Sequence, residues 1–402
     1  MRVSIVRCPD YEAPGLAEAI ERVLAPLGGL GAFVRPGDRV LLKVNLLIGL
    51  PPERAVTTQP QVLEAVARMV QDLGGRPILG DSPGGSHTAA TFRGVLRRSG
   101  LLPVVERTGM EVACFDEDTV EAPSPEGRVF RRFRVGRAVI ESDVVIGLPR
   151  LKTHELTGLT AAVKGCYGYL PGLDKMAYHL HARRDPALFA DLLLDVHGIR
   201  PPALSLLDAV VAMEGQGPSA GRPRRLGLLL ASPSATALDV VATRIVGLPP
   251  SRVTTLAPAA ARGIGPASPE EVEQVGERIE DVAVPDFEPP RTARIAPGPG
   301  WAAGLAERWV SSRPEVNPDR CVRCGRCAEA CPPGAIAWSE GEVPRIDDPT
   351  CIRCWCCQEI CPESAIRVLP PRLSLDPASP VFRRMLGWIE PLRAAARSVR
   401  RG

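Results

Sequence analysis

Cys321-Val-Arg-Cys324-Gly-Arg-Cys327-Ala-Glu-Ala-Cys331-Pro332 recurs as Cys351-Ile-Arg-Cys354-Trp-Cys-Cys357-Gln-Glu-Ile-Cys361-Pro362, at an offset of 30 residues for every matching cysteine. Ala335-Ile336 likewise matches Ala365-Ile366, so the unit is internally duplicated. Three thiolates from one short loop can wrap one side of an iron–sulfur cube, and the fourth comes from the other repeat. The spacing therefore predicts two [4Fe–4S] clusters, one on Cys321, Cys324, Cys327 and Cys361, the other on Cys351, Cys354, Cys357 and Cys331. Each proline behind a fourth cysteine ends a helix and turns the chain into the next strand. Cys356 stands outside the register and reads as an incidental buried thiol. Arg323, Arg326 and Arg353 lie inside the loops, where positive charge stabilises a reduced, more negative cluster.

Nine of the twelve cysteines fall between Cys321 and Cys361, a clustering that points to metal rather than disulfides. The 402 residues leave room for a second, larger domain with its own core. A net charge of +3, with the basic residues spread along the chain, argues against a nucleic-acid partner. The N-terminus lacks the apolar stretch of a signal peptide, and no segment approaches the roughly 20 apolar residues of a membrane span. A cytoplasmic location is the expectation.

Upstream, residues 1–255 alternate strand-like and helix-like segments. Arg39 to Leu47 is an apolar run of buried-strand type, and Pro60 to Leu73 carries apolar residues at helical period before Gly74-Gly75. Further strands are expected at Pro77–Gly80, Asp143–Pro149, Leu204–Asp208 and Leu226–Leu230, with helices at about Thr88–Arg98 and Ala235–Val246. This alternation predicts an α/β domain, a mostly parallel sheet with flanking helices, followed by a small α+β two-cluster domain at 315–370. Residues 256–314 read as a proline-rich connector in which only Glu270 to Glu280 has helical character. Residues 371–402 form a basic tail; Val381 to Arg401 reads as a terminal helix packed on the protein's own body or as an amphipathic, peripheral membrane or partner contact.

Of 49 basic residues only four are lysine: Lys43, Lys152, Lys164 and Lys175. Where a generic cation suffices this chain uses arginine, so a retained lysine is a candidate for work needing a compact ammonium of tunable pKa. Lys152 and His154 follow the strand ending near Gly147, the carboxyl end at which open α/β sheets bind ligands. Together with Lys164, Lys175, His179 and His181 they make a cationic, donor-rich set suited to a carboxylate or phosphate. Lys43 and Asn45 end another strand, Asp81-Ser-Pro-Gly-Gly-Ser86 opens a helix, and Glu214-Gly-Gln-Gly-Pro218 forms a third glycine-rich stretch. That last stretch lacks the third glycine of a dinucleotide fingerprint. Cys166 reads as a buried structural cysteine or as a redox thiol.

Lys43-Val-Asn45, Gly80-Asp81, Leu148-Pro-Arg-Leu-Lys-Thr-His154, Val163-Lys164, Lys175 with His179, and Glu214-Gly-Gln-Gly-Pro218 resemble the domain-of-unknown-function family 362. Many of its members end in a two-cluster module of the bacterial ferredoxin type. The chain departs from the family pattern at Gly165, where asparagine is expected, and at Ser234-Ala235, where Asp-Pro usually precedes the helix holding Asp239. The resemblance implies architecture and brings no settled chemistry.

The leading expectation is an iron–sulfur oxidoreductase that relays electrons between a ferredoxin or flavoprotein partner and an anionic small molecule. Lys152, His154 and His179 are its candidate catalytic residues; Lys43, Asn45, Asp81, Lys164, Lys175 and Glu214 are its candidates for substrate binding. An electron-transfer adaptor, or a non-redox enzyme or binding module with structural clusters, are the alternatives. The doubled register predicts about eight irons per chain, two cubes of four. Iron and zinc assay of anaerobically prepared protein checks this: zinc, or far fewer irons, removes the redox reading.

Overall fold

In the computed structural model residues 1–183, 185–291 and 311–372 are described. The expected basic tail lies outside the described residues from position 373 onward.

One ten-stranded sheet organises the larger domain. Its strands are β1 (Arg2–Arg7), β2 (Arg39–Lys43), β3 (Arg76–Asp81), β4 (Glu111–Cys114), β7 (Val144–Gly147), β8 (Arg150–His154), β9 (Gly158–Thr160), β10 (Leu204–Glu214), β11 (Arg222–Ser232) and β12 (Glu273–Gly276). A separate antiparallel ribbon, β5 (Thr119–Pro123) with β6 (Arg132–Gly136), lies outside it. The main order is β12-β1-β11-β10-β7-β2-β3-β4, with β8 paired to β10 and β9 to β8. Only β9 and β11 run against the rest. The sheet is therefore mostly parallel, as the alternation of segments predicts.

Parallel strands covered on both faces need apolar side chains on both, and the alternation is visible residue by residue. Val40 and Leu42 of β2, Leu79 of β3 and Val144 and Ile146 of β7 enter one core. Leu41, Ile78 and Val145, the intervening positions, enter the core on the other face. Four helices supply the first face: α1 (Gly15–Leu24), α2 (Pro60–Asp72), α3 (Ala89–Arg98) and α4 (Leu102–Thr108). Past α5 (Arg137–Glu141), the opposite side holds α6 (Ala162–Gly165), α7 (Gly172–Ala182), α8 (Pro186–Ile199), α9 (Ala235–Ile245), α10 (Leu256–Ala261) and α11 (Ile279–Val282). Local chemistry sets the helix starts: Thr88 and Thr91 form a reciprocal capping box on α3, and Ser234 caps α9.

Two expectations are corrected. The stretch 256–291, read as connector, belongs in part to the sheet domain: α10 packs there, and β12 extends the edge beside β1. Glu270–Glu280 is not a helix but a 3-10 turn at Pro269–Glu271, then β12, then the start of α11. Backbone pairing with β1 outweighs the weak helical preference of that acidic segment. The Lys152–His154 segment, which follows β7 in the chain, is itself part of strand β8, because β10 runs 11 residues and continues past β7 to pair with it.

The cysteine module consists of two short antiparallel ribbons and two single-turn helices. β13 (Arg313–Val316) pairs with β16 (Ile366–Leu369), and β14 (Ile336–Ala337) with β15 (Arg345–Ile346). The helices are α12 (Arg326–Glu329) and α13 (Cys356–Glu359). Duplication is preserved in the backbone: Arg323 and Arg353 both have φ of 58°, and Gly325 and Trp355 have φ of 75° and 67°.

Arg150 is a structural tie at the start of β8. Its guanidinium, 1% exposed, faces Asp208 at 3.6 Å and donates to Val211 O, Thr57 O, Gln59 and Tyr11 Oη. Tyr11 Oη also donates to Asp208 at 2.8 Å, so the network joins the N-terminal segment, β8 and β10. Removing the cation leaves a buried carboxylate uncompensated. Arg150→Ala is expected to destabilise the fold by about 3–5 kcal/mol, measured as a lower denaturation midpoint of anaerobic protein.

Candidate functional site

Strands β2, β3 and β4 step outward from the middle of the sheet, whereas β7 returns to the opposite side of β2. The switch point thus lies between β2 and β7, the place where open parallel sheets form a crevice at their carboxyl ends. Lys43 and Asn45 from the end of β2, Asp81 from β3, Lys152 and His154 from β8, Lys164 from α6, and Lys175 and His179 from α7 all line one cavity there. Every lysine in the chain is in this set. Its volume is about 100 Å³, against roughly 10–15 Å³ for one water, so several waters or one small ligand fit.

Each ammonium is held differently. Lys43 forms a buried ion pair with Asp81 at 2.8 Å and donates to Val44 O at 2.7 Å. Asp81 in turn accepts from Leu46 N at 2.7 Å and Ser82 N at 2.9 Å, so this pair is internally satisfied and shapes the floor. Gly168 packs against the pair; a Cβ there would lie 2.2 Å from Asp81 Oδ1 and 2.6 Å from Lys43 Nζ. Lys152 donates to Asn45 Oδ1 at 2.8 Å and Val56 O at 2.7 Å. Lys175 donates to Ser82 and Pro83. Lys164 stands over the Tyr167 ring at 4.6 Å and makes no hydrogen bond among the described residues. Asp239 of α9 orients the short helix carrying it, accepting from Ala162 N at 2.7 Å and Val163 N at 3.2 Å.

His154 is fixed in one tautomer. Its Nδ1 accepts from Leu156 N at 3.1 Å and Thr157 N at 3.4 Å, which leaves the proton on Nε2. Nε2 stands 3.1 Å from Glu359 Oε1. The contact lacks hydrogen-bond alignment, since both atoms are buried without a hydrogen-bond partner, as is Oγ1 of the cavity residue Thr160. Such orphans mark the places where a ligand or water completes the site. His179 is stacked on Phe189 at 4.5 Å and meets the edge of Tyr167 at 5.7 Å.

Burial dominates the electrostatics. It lowers the Lys152 ammonium to about 7, helped by Lys164 and Arg150, and Lys175 to about 8. Lys164 and His154 are lowered from their ordinary values by the same cause, and His179 falls to about 3. Both histidines are therefore neutral at physiological pH. Burial alone would raise the Glu359 carboxyl, but in the acid range where it titrates the charges of His154, Lys164 and His179 overcome burial and hold the group at about 2. A carboxylate thus faces three ammoniums whose charged form is disfavoured by burial.

Glu359 belongs to the cysteine module. Ala330, Cys356, Glu359 and Ile360 complete the cavity wall, so the turn that holds Cys354 and Cys357 also closes the lysine pocket. Gln358 anchors this contact: its amide donates to Gln216 O at 2.7 Å, and its carbonyl accepts from Ser219 Oγ at 3.0 Å. Cys321, Cys324, Cys327 and Cys361 surround one cavity of the module, and Cys331, Cys351, Cys354 and Cys357 a second. Ala335 N donates to Cys331 Sγ and Ala365 N to Cys361 Sγ, both at 3.2 Å, so each fourth cysteine has a backbone donor on its sulfur. Among the described residues no three His, Cys, Asp or Glu side chains close on a single ion. Two separate sets of four cysteines, each around its own cavity, are a donor set that fits a cluster.

Some expected residues lie elsewhere. Glu214 is not in the cavity; it binds Arg222 at 3.2 Å and accepts Glu288 N at 3.1 Å. Its glycine-rich stretch is a docking surface for the cysteine module instead of an anion cradle, and only Pro218 of it touches the cavity. His181 packs against Phe130, and Cys166 is a buried helix thiol bonded to Ala162 O. Sequence reading missed Glu359 and passed over Cys356. Comparing the two repeats was the available signal, since Cys356 stands where the first repeat has Arg326.

A model for the domain of unknown function DUF362 matches residues 40–244, and one for a 4Fe-4S binding domain matches residues 314–337. The thylakoid-associated protein sll1697 of Synechocystis is 40% identical over 268 residues, covering 67% of this chain and 81% of that one. Among solved structures, the lactate racemase apoprotein of Thermoanaerobacterium thermosaccharolyticum matches at 10% identity and a TM-score of 0.37, over 57% of this chain. A Thermotoga maritima protein matches at 13% identity and a TM-score of 0.30, over 49% of this chain. This chain spans about half the length of each, 53% and 50%. The matched span takes in β2, β3, β7 and β8 and all four lysines, and the chain belongs to the DUF362 family, here joined to a 4Fe-4S binding domain.

Proposed function

We propose that this protein is an iron–sulfur oxidoreductase in which two [4Fe–4S] clusters exchange electrons with a small anion held by Lys152, Lys164 and Lys175. One observation carries the reading: the cluster-loop turn bearing Cys356 and Glu359 is itself a wall of the lysine cavity. A ligand there sits beside the cysteines of the Cys351 loop, with no intervening domain to cross. When bound, the clusters supply single electrons; the chain's own residues bind and orient the acceptor.

Lys43 is neutralised by Asp81, so three ammoniums face the single carboxylate of Glu359. That surplus favours a dianion, such as a dicarboxylate or phosphate monoester. His154 is poorly placed as a base, because Nδ1 is taken by backbone donors. It acts instead as a neutral donor from Nε2. Lys152, lowered to about 7, is the better candidate to give and regain a proton near neutral pH. Cysteines with no disulfide among the described residues fit a reducing, cytoplasmic compartment; among the described residues no helix is long and apolar enough to cross a membrane.

Two measurements test this. Holoprotein reduced with dithionite and freed of excess reductant is mixed with a panel of small carboxylates and phosphate esters, following recovery of cluster absorbance. One or more are expected to reoxidise the clusters. Lys164→Ala should slow this about ten-fold or more with unchanged iron, as loss of a charge-assisted contact of roughly 1.5–3 kcal/mol implies. Equal rates with and without every anion overturn the reading. Bound anion must also raise the pKa of Lys152 and Lys175 above about 7 and 8. Binding then takes up protons, and affinity falls as pH rises through this range, roughly ten-fold per pH unit for each proton. Calorimetry of the active anion in buffers of differing ionisation enthalpy reads that uptake.

A further inference from the structure

The two cysteine loops are matched in sequence and backbone but not in environment. In the first, Val322 is 60% exposed, and Arg323, Cys324 and Arg326 are also exposed. In the second, Cys351, Cys354 and Cys357 are at most 9% exposed, and Arg353 is 7% exposed and paired with Asp348. Position by position, Arg326 of the outer loop corresponds to Cys356 of the inner, and Glu329 to Glu359; the inner pair lines the lysine cavity while the outer pair faces solvent. One loop has therefore been turned toward the pocket and its copy left at the surface.

The outer loop is also basic. A groove beside it is lined by Arg313, Arg323, Arg345 and Arg372. Of its acidic residues, Glu315 is paired with Arg367 and Asp348 with Arg353, which leaves Glu342 as the groove's remaining carboxylate against Arg313, Arg323 and Arg345. An exposed apolar residue beside a cysteine ligand, rimmed by guanidinium groups, matches the anatomy of a transient electron-transfer contact.

We propose that an acidic one-electron carrier protein docks on the Val322–Arg326 loop and its arginine groove, and that electrons then pass inward to the Cys351 loop and the lysine pocket. This rests on the two-cluster reading above. Each docking oxidises the carrier by one electron and reduces one cluster by one; two dockings load an electron pair, and no proton moves in this step.

The test stops at the clusters and needs no pocket ligand, so it survives failure of the anion reading. Reduced flavodoxin, an acidic one-electron carrier, is mixed anaerobically with oxidised holoprotein and the loss of cluster absorbance followed by stopped flow. Wild-type transfer is expected to slow as salt rises. Arg323→Glu with Arg326→Glu should slow it roughly ten-fold or more at low salt, while dithionite still reduces the clusters to the same endpoint. Arg345→Glu, outside both cysteine loops in the sequence, gives the same direction should the double variant lose iron. Arg97→Glu, an exposed position on α3, is the control. Salt-indifferent transfer, or charge reversals no slower than this control, overturns the proposal.

Discussion

Several ammonium groups brought into one small cavity repel one another and lose their hydration, and both effects strip protons from them. The site is organised around this constraint. Asp81 cancels Lys43, carbonyl oxygens and Asn45 hold Lys152 and Lys175, and the ring of Tyr167 faces Lys164. The remaining compensation comes from Glu359, a side chain of the other domain. Docking of the cysteine module is thus part of the pocket's charge balance, and the two modules share one cavity wall.

That contact also gives the glycine-rich stretch after β10 its purpose. Gly217 packs against the backbone of Thr153, where a Cβ would lie 2.1 Å from its carbonyl oxygen. The close approach lets Gln216 reach Gln358 and the backbone of Val368. Ile360, beside Glu359, packs with Ile48, Leu50 and Met213, so the seam is apolar as well as hydrogen-bonded. A single turn of helix, Cys356–Glu359, serves the cysteine set on one side and the cavity on the other. Internal duplication makes this division possible, because one copy of the loop is free to specialise while the other keeps its exposed surface.

Much of this was open to reading along the chain. Apolar runs and glycine stops located β2, α2, β3, α3, β7 and α9 because buried parallel strands and amphipathic helices impose periods on their own residues. The scarcity of lysine against 45 arginines marked Lys43, Lys152, Lys164 and Lys175 before any contact was known. The edge strand β12 was not legible, since pairing with a strand some 270 residues earlier leaves no mark in a short polar segment. Glu214 misled because a glutamate ahead of two glycines looks the same whether it meets a ligand or an arginine.

Sequence alone determined the cysteine register, the α/β alternation and the identity of the cationic residues, because each is carried by local spacing or composition. Tertiary structure alone decided that the four lysines converge, that Glu359 enters among them, and that one cysteine loop faces inward and its copy outward. These depend on how strands far apart in the chain pair and on which face of a small module is pressed against the sheet. Burial and charge compensation across that seam are properties of contacts between distant segments, and no local pattern encodes them.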